Sequence, residues 1–99
     1  MISRQWRGLA KRECAASYVE HLRTETFPAI GRIAGFLGAS ILRRPTDSGV
    51  EFLIVTRWAS MGAIREFAGA TAESAVVPAN VQEMMIEYDH FVRHYDVLE

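Results

Sequence analysis

Ninety-nine residues, 49% of them hydrophobic and 10% aromatic, suffice for one core and not two, so residues 1–99 are expected to form a single domain. A net charge of −1 gives no electrostatic footprint for nucleic acid, and the lone cysteine, Cys14, excludes an intramolecular disulfide framework. No apolar run approaches the roughly 18–20 residues of a membrane span, and the opening MISRQWRG lacks the h-region of a secretory signal. The expected setting is therefore cytoplasmic, with neither membrane nor nucleic acid as partner.

Ile2 to Gly8 alternates Ile2, Arg4 and Trp6 against Ser3, Gln5 and Arg7, which suits a first strand. From Lys11 the period becomes helical: Ala15, Tyr18, Val19 and Leu22 form one stripe, with Thr26 a candidate member. Pro28 is expected to end or kink that helix, and Gly31 and Gly35 to loosen the return. Phe36 to Arg43 reads as a second strand, followed by the turn cluster Arg44-Pro-Thr-Asp-Ser-Gly49. Val50 to Trp58 is nearly all β-branched or aromatic and suits a strand covered on both faces. Ser60 can cap the next helix, in which Ala63, Ile64, Phe67 and Ala68 recur at helical spacing. A looser segment, Gly69 to Asn80, with a short helix near Ala72 to Val77, leads to a long last strand, Met84 to Leu98. The parity of that strand shifts midway, so a β-bulge is expected.

This order is β-α-β followed by β-α-β, an α+β ferredoxin-like βαββαβ arrangement with two helices on one face of a four-stranded antiparallel sheet. The other face reads as too apolar for water. Two sheets packed face to face would close a dimeric α/β barrel, making the chain a homodimer through its sheet face, with the long last strand reaching toward the partner.

The chain resembles the antibiotic biosynthesis monooxygenase domain family, whose members form dimeric α+β barrels. The resemblance rests on Trp6 in a short first strand, on Glu51-Phe-Leu-Ile-Val-Thr-Arg-Trp58 followed by Ser60 and a helix, and on the terminal His94-Tyr-Asp-Val97. It implies a small pocket between helices and sheet in each subunit. Characterised members of that family include cofactor-free oxygenases of polycyclic aromatic compounds and enzymes that bind and degrade haem, and many other members have no known activity. The haem-degrading branch uses a Trp on the second helix, an iron-ligating His ten residues later and an Asn on the first strand. Counting from Ser60 puts Phe67 and Val77 at the first two positions, and the only Asn in the chain is Asn80. Haem degradation is accordingly not expected, and no cofactor is assigned.

The resemblance then implies, as the expected activity, a cofactor-independent monooxygenase acting on an aromatic or quinol-like small molecule. Such a site needs aromatic walls, for which Trp6, Trp58, Phe67, Tyr88 and Tyr95 are candidates, and polar groups that assist deprotonation, for which Arg4, His90 and His94 are candidates. Trp58 reads more readily as a core or interface anchor than as a substrate platform, whereas Trp6 reads either way. Arg4 either forms an ion pair with Glu87 or Asp89 or anchors an anionic substrate. His90 and His94, four residues apart on a strand, lie roughly 13 Å from each other, too far to share one metal ion. The alternative is a non-enzymatic dimeric barrel that binds a small apolar ligand or serves as an interaction module. Isomerase or lyase chemistry on the same barrel is a third possibility, since fold does not fix function.

Overall fold

The computed structural model describes all residues from Met1 to Glu99. Strand β1 (Ile2–Ala10) leads into a helical run that opens with a 3-10 turn (Arg12–Cys14). The run continues as α1 (Ala15–His21), widens into a π-helical stretch (Leu22–Thr26) and closes as α2 (Phe27–Ile30). Then come β2 (Phe36–Pro45), β3 (Val50–Trp58), α3 (Met61–Ala68), α4 (Ala79–Met84), β4 (Met85–Tyr88) and β5 (Arg93–Asp96). The antiparallel sheet runs β2-β3-β1-β4, and β5 shares the edge of β1 with β4. This is the ferredoxin-like order, with the fourth strand in two pieces.

Pro28 does not end the helix. In an α-helix it would offer no N–H to the Thr24 carbonyl and would press its ring against it. The helix widens just before it instead, so that the Phe27 N–H reaches the Leu22 carbonyl five residues back, and helical structure continues to Ile30. In the second half of the chain, Ser60 caps α3 by accepting from the Ala63 N–H at 3.2 Å. Gly69 stops the helix with φ 82°, a conformation glycine adopts without a Cβ penalty.

The structure departs from other expectations as well. Residues 72–77 form no helix; the helix lies at Ala79–Met84, where a strand was about to begin. The long last strand shifts register against β1 at Ile86, between the pairs Leu9–Glu87 and Ala10–Met85, and is also broken between Tyr88 and Arg93. There the chain leaves β1 to bond the preceding loop, Val92 N–H to Glu73 O at 2.8 Å and Ala75 N–H to His90 O at 2.9 Å. Its second piece lies back on β1 of its own chain.

Within this chain β3 buries one face, with Phe52, Ile54, Thr56 and Trp58, and leaves Glu51, Leu53, Val55 and Arg57 half-buried on the other. The half-open face is also less apolar than expected. Arg7 Nε and Arg44 Nε both bond the Glu51 carboxylate, at 2.6 and 2.5 Å, beside Leu53, Val55 and the exposed Leu42.

Under the helices the hydrophobic interior falls into two clusters. One gathers Tyr18, Leu22, Phe52, Ile54, Val81 and Met85; the other gathers Ile30, Trp58, Ala63, Ile64 and Ala72. Fully burying Phe52, Ile64 or Trp58 contributes about 1.5–3 kcal/mol each or somewhat more for the indole. Between the clusters the sheet carries a polar cross-strand pair, Arg4 opposite Thr56. A pocket opens along that seam.

Candidate functional site

The inner chamber of the pocket measures about 80 Å³. Its floor is the sheet seam (Arg4, Trp6, Ile54, Thr56). The helical run supplies Tyr18, His21, Leu22, Thr26, Phe27 and Ile30, and the chain after α3 supplies Phe67, Val76, Val77, Pro78, Val81 and Val92. A wider outer vestibule of about 390 Å³ adjoins it, and His21, Thr26, Ile30, Phe67, Val76 and Pro78 line both. The π-helical stretch sets the upper wall, with Leu22 and Thr26 inside it and His21 immediately before it.

Arg4 is 5% exposed, yet well satisfied. Its guanidinium donates to the Ala72 carbonyl at 2.5 Å and the Ser74 carbonyl at 3.1 Å. It also meets His94 Nε2 at 3.0 Å and lies 5.6 Å from the Phe67 ring centroid. The expected ion pair with Glu87 or Asp89 is not formed; backbone carbonyls take that place. Burial lowers the Arg4 pKa to about 10, which leaves it charged at neutral pH. Because a guanidinium can only donate, His94 Nε2 must accept, which fixes a neutral imidazole protonated on Nδ1. Burial first, and the Arg4 charge second, lower the His94 pKa, consistent with that state.

Of the eight candidates read from the sequence, the structure brings Arg4, Trp6 and Phe67 to the chamber. Trp6 stands between Tyr18 and Tyr88, with ring centroids at 6.2 and 6.3 Å, and donates its indole N–H to the Asp89 carbonyl at 2.8 Å. Trp58 is fully buried one layer behind, stacked on Phe67 at 6.0 Å, its indole N–H on Thr56 Oγ1 at 2.8 Å. Tyr88 supports Trp6 from outside the cavity, and His90 packs on Tyr88 at 5.0 Å. His94 reaches the site only through Arg4. Tyr95 is 48% exposed, pairs with Ser3 on the half-open face and stands apart from the pocket.

The residue that sequence reasoning missed is His21. Its side chain is 9% exposed, with Nδ1 2.7 Å from Glu25 Oε2, while Nε2 is buried and has no protein partner. The signal available in the sequence was the His21-x-x-x-Glu25 spacing, which puts both on one helix face. Tyr18, also at the wall, has its pKa raised by burial and stays a neutral phenol.

At the positions counted from Ser60 the chamber lacks the haem-degrading set. Phe67 and Val77 both line the chamber, so those positions do converge there, but the Val77 side chain has no lone pair for iron. The chamber alone, at about 80 Å³, falls below the roughly 300 Å³ at which pockets for drug-sized ligands begin, and the adjoining vestibule of about 390 Å³ would hold the rest of any ligand of that size. No group of three or more His, Cys, Asp or Glu side chains is arranged to hold a metal, and no helix is long and apolar enough to cross a membrane.

No family sequence model and no curated protein sequence matches the chain. Solved structures do. A candidate antibiotic biosynthesis monooxygenase from Bacillus cereus superposes with a TM-score of 0.67 at 19% identity, over 99% of this chain and 91% of that one. The haem-degrader MhuD from Mycobacterium tuberculosis, with two haems bound in its active site, gives 0.59 at 19% identity over 100% and 97%. Rv0793 from the same organism gives 0.61 at 18% identity over 99% and 95%. The chain therefore has the fold of the antibiotic biosynthesis monooxygenase-type proteins.

Proposed function

We propose that the chain is a cofactor-independent monooxygenase acting on an aromatic or quinol-like small molecule. One observation carries the reading: aromatic walls from Trp6, Tyr18, Phe27 and Phe67 enclose an apolar chamber whose floor holds a charged, immobilised guanidinium. In such surroundings a fixed cation stabilises a phenolate or enolate far more than water-exposed charge would. An apolar enclosure also keeps water from the carbanion while O₂ reacts. A substrate methylene and O₂ then give a ketone and water, with no further reductant. His94, through its acceptor bond to Arg4, holds the guanidinium in place.

Size favours a second reading. The chamber is about half the volume of an engineered 150 Å³ cavity that binds benzene, so a polycyclic substrate must extend into the vestibule. A non-enzymatic barrel binding a small apolar ligand, or acting as an interaction module, needs no such extension. Oxygen uptake with a panel of phenols, quinols and anthrone-like compounds separates the two. The enzyme reading expects turnover with a panel member and its loss in Trp6→Ala; ligand binding without O₂ uptake across the whole panel supports the alternative.

Under either reading, residues 1–99 act as one domain. The half-open sheet face, with Leu42, Leu53 and Val55 among charged neighbours, pairs with a second copy. Light scattering should give a dimer mass, reduced to that of a monomer by Leu53→Arg; a monomer mass for the unaltered chain at micromolar concentration rejects the pairing.

A further inference from the structure

We propose that His21 is the proton acceptor of this pocket, and Glu25 its positioning residue, for a hydrophobic small molecule carrying an acidic O–H such as a phenol or enol. The inference rests on the reading of the pocket as a site for such substrates and adds to it the group that takes the proton.

The geometry carries it in three steps. First, the Glu25 carboxylate accepts from His21 at 2.7 Å, which puts the proton on Nδ1 and leaves the lone pair on Nε2. The Asn80 amide, 3.5 Å from the same Nδ1, is at the limit of hydrogen bonding and does not alter that assignment. Second, the two ring edges see opposite surroundings. Glu25 is two-thirds exposed on the outer side, whereas Nε2 is buried without a protein partner, on a residue that lines both chamber and vestibule. An ion pair four residues apart on a helix forms readily with both side chains in solvent, so the pair does not require this burial. An unmatched acceptor at a pocket wall is costly unless a ligand uses it. Third, it adjoins the π-helical stretch, a distortion that recurs at functional sites and here turns Thr26 and Phe27 into the same cavity.

The step is a single proton transfer. The Nε2 lone pair takes the substrate O–H proton, the electron pair of the broken bond stays on the substrate oxygen, and the imidazolium is held by the Glu25 carboxylate. Besides Glu25, the charged groups around it are Glu66 from α3 at the vestibule and Arg4 on the chamber floor, whose cation favours the resulting anion.

4-Nitrophenol tests the transfer without turnover, because its phenolate absorbs apart from its phenol. Bound to the unaltered protein, it should be more ionised than the free probe at the same pH. Bound to His21→Gln, which keeps a polar side chain of similar size, or to His21→Ala, it should lose that excess; Glu25→Gln should lose part of it. With a turned-over substrate, His21→Ala should reduce kcat at least about 100-fold, within the usual range for a general base. Glu25→Gln should reduce it about ten-fold and move the acidic limb of the pH profile, the limb on which a general base is lost to protonation. An unchanged phenolate excess in both His21 variants overturns the assignment while leaving the pocket reading intact. Failure of the unaltered protein to bind any phenol overturns the pocket reading and the assignment with it.

Discussion

Arg4 and His21 stand at opposite walls of one apolar chamber, and they differ in how completely the protein satisfies them. Arg4 has two backbone carbonyls, a His94 nitrogen and the face of Phe67. His21 has one carboxylate on Nδ1 and nothing from the protein on the buried Nε2. A buried polar group with all its partners holds a structure together; one with a partner missing is held there by the structure at some cost. The same residue class, a buried cation or potential cation, can thus serve as a latch at one wall and as a reactive group at the other.

Removing the latch should give the largest effect. Arg4 ties β1 to the strap of residues 72–74, and Arg4→Leu would leave the Ala72 and Ser74 carbonyls without their donor. We expect a loss of about 2–4 kcal/mol in unfolding free energy, read from urea midpoints with an unchanged m value. A loss below about 0.5 kcal/mol would mean that the strap is held by Val92 and Ala75 alone and that Arg4 is no latch.

Gly8→Ala tests the floor beside it. A Cβ there would come within 2.4 Å of the Trp6 ring and 3.0 Å of Met85 Sδ. Trp6 cannot swing away freely, because its N–H is on Asp89 O and its ring lies between Tyr18 and Tyr88. The expected cost is about 1–3 kcal/mol, with weaker binding of any aromatic ligand; unchanged stability and binding would show that Trp6 is a mobile wall.

The contrast between the two walls also explains what the sequence could reveal. The β3–α3 unit was legible because its determinants are local: β-branched residues, the Ser60 cap and the Gly69 stop lie within 20 residues of one another. The strand order followed from that unit and the hairpin. Arg4 was visible as a buried charge that needed partners, but its partners turned out to be backbone carbonyls 68 and 70 residues away, which no side-chain pattern announces. The break at residues 89–92 was hidden for the same reason: it exists to bond Glu73 and Ala75, and in the sequence it shows only as a parity shift. His21 was the least legible. Its helix stripe accounts for Tyr18 and Leu22, and a charged i,i+4 pair beside such a stripe looks like ordinary solvated surface. Only the π-helical widening and the seam between two core clusters turn it inward.

The latch also makes stability depend on pH in a definite direction. With its pKa lowered in the folded chain, His94 stays neutral there at pH values where the unfolded chain, titrating near about 6.5, has begun to bind a proton. In that window the unfolded state holds more protons, so stability rises with pH. The contribution is full above about pH 6.5 and declines as the pH falls toward the folded-state pKa. Melting temperatures should therefore drop on acidification through this range, and His94→Gln should flatten that part of the curve. A curve of unchanged slope in His94→Gln would assign the dependence to other groups and remove His94 from the latch.

The smallest expected effect distinguishes the two walls most sharply, because its sign differs. His21→Leu removes an acceptor that lacks a protein partner and replaces it with apolar volume suited to a chamber lined by Leu22, Ile30 and Val81. Relieving an unmatched buried polar atom is worth about 1–3 kcal/mol, and losing the exposed pair with Glu25 costs about 0.3–0.5 kcal/mol. Overpacking takes back part of the gain, so the net stabilisation should be about 0.5–1.5 kcal/mol, seen as a higher urea midpoint. Binding of a phenol as its phenolate should be lost in the same variant. A His21→Leu protein less stable than the unaltered chain would mean that the imidazole is a structural partner like Arg4, and the two walls would then be alike.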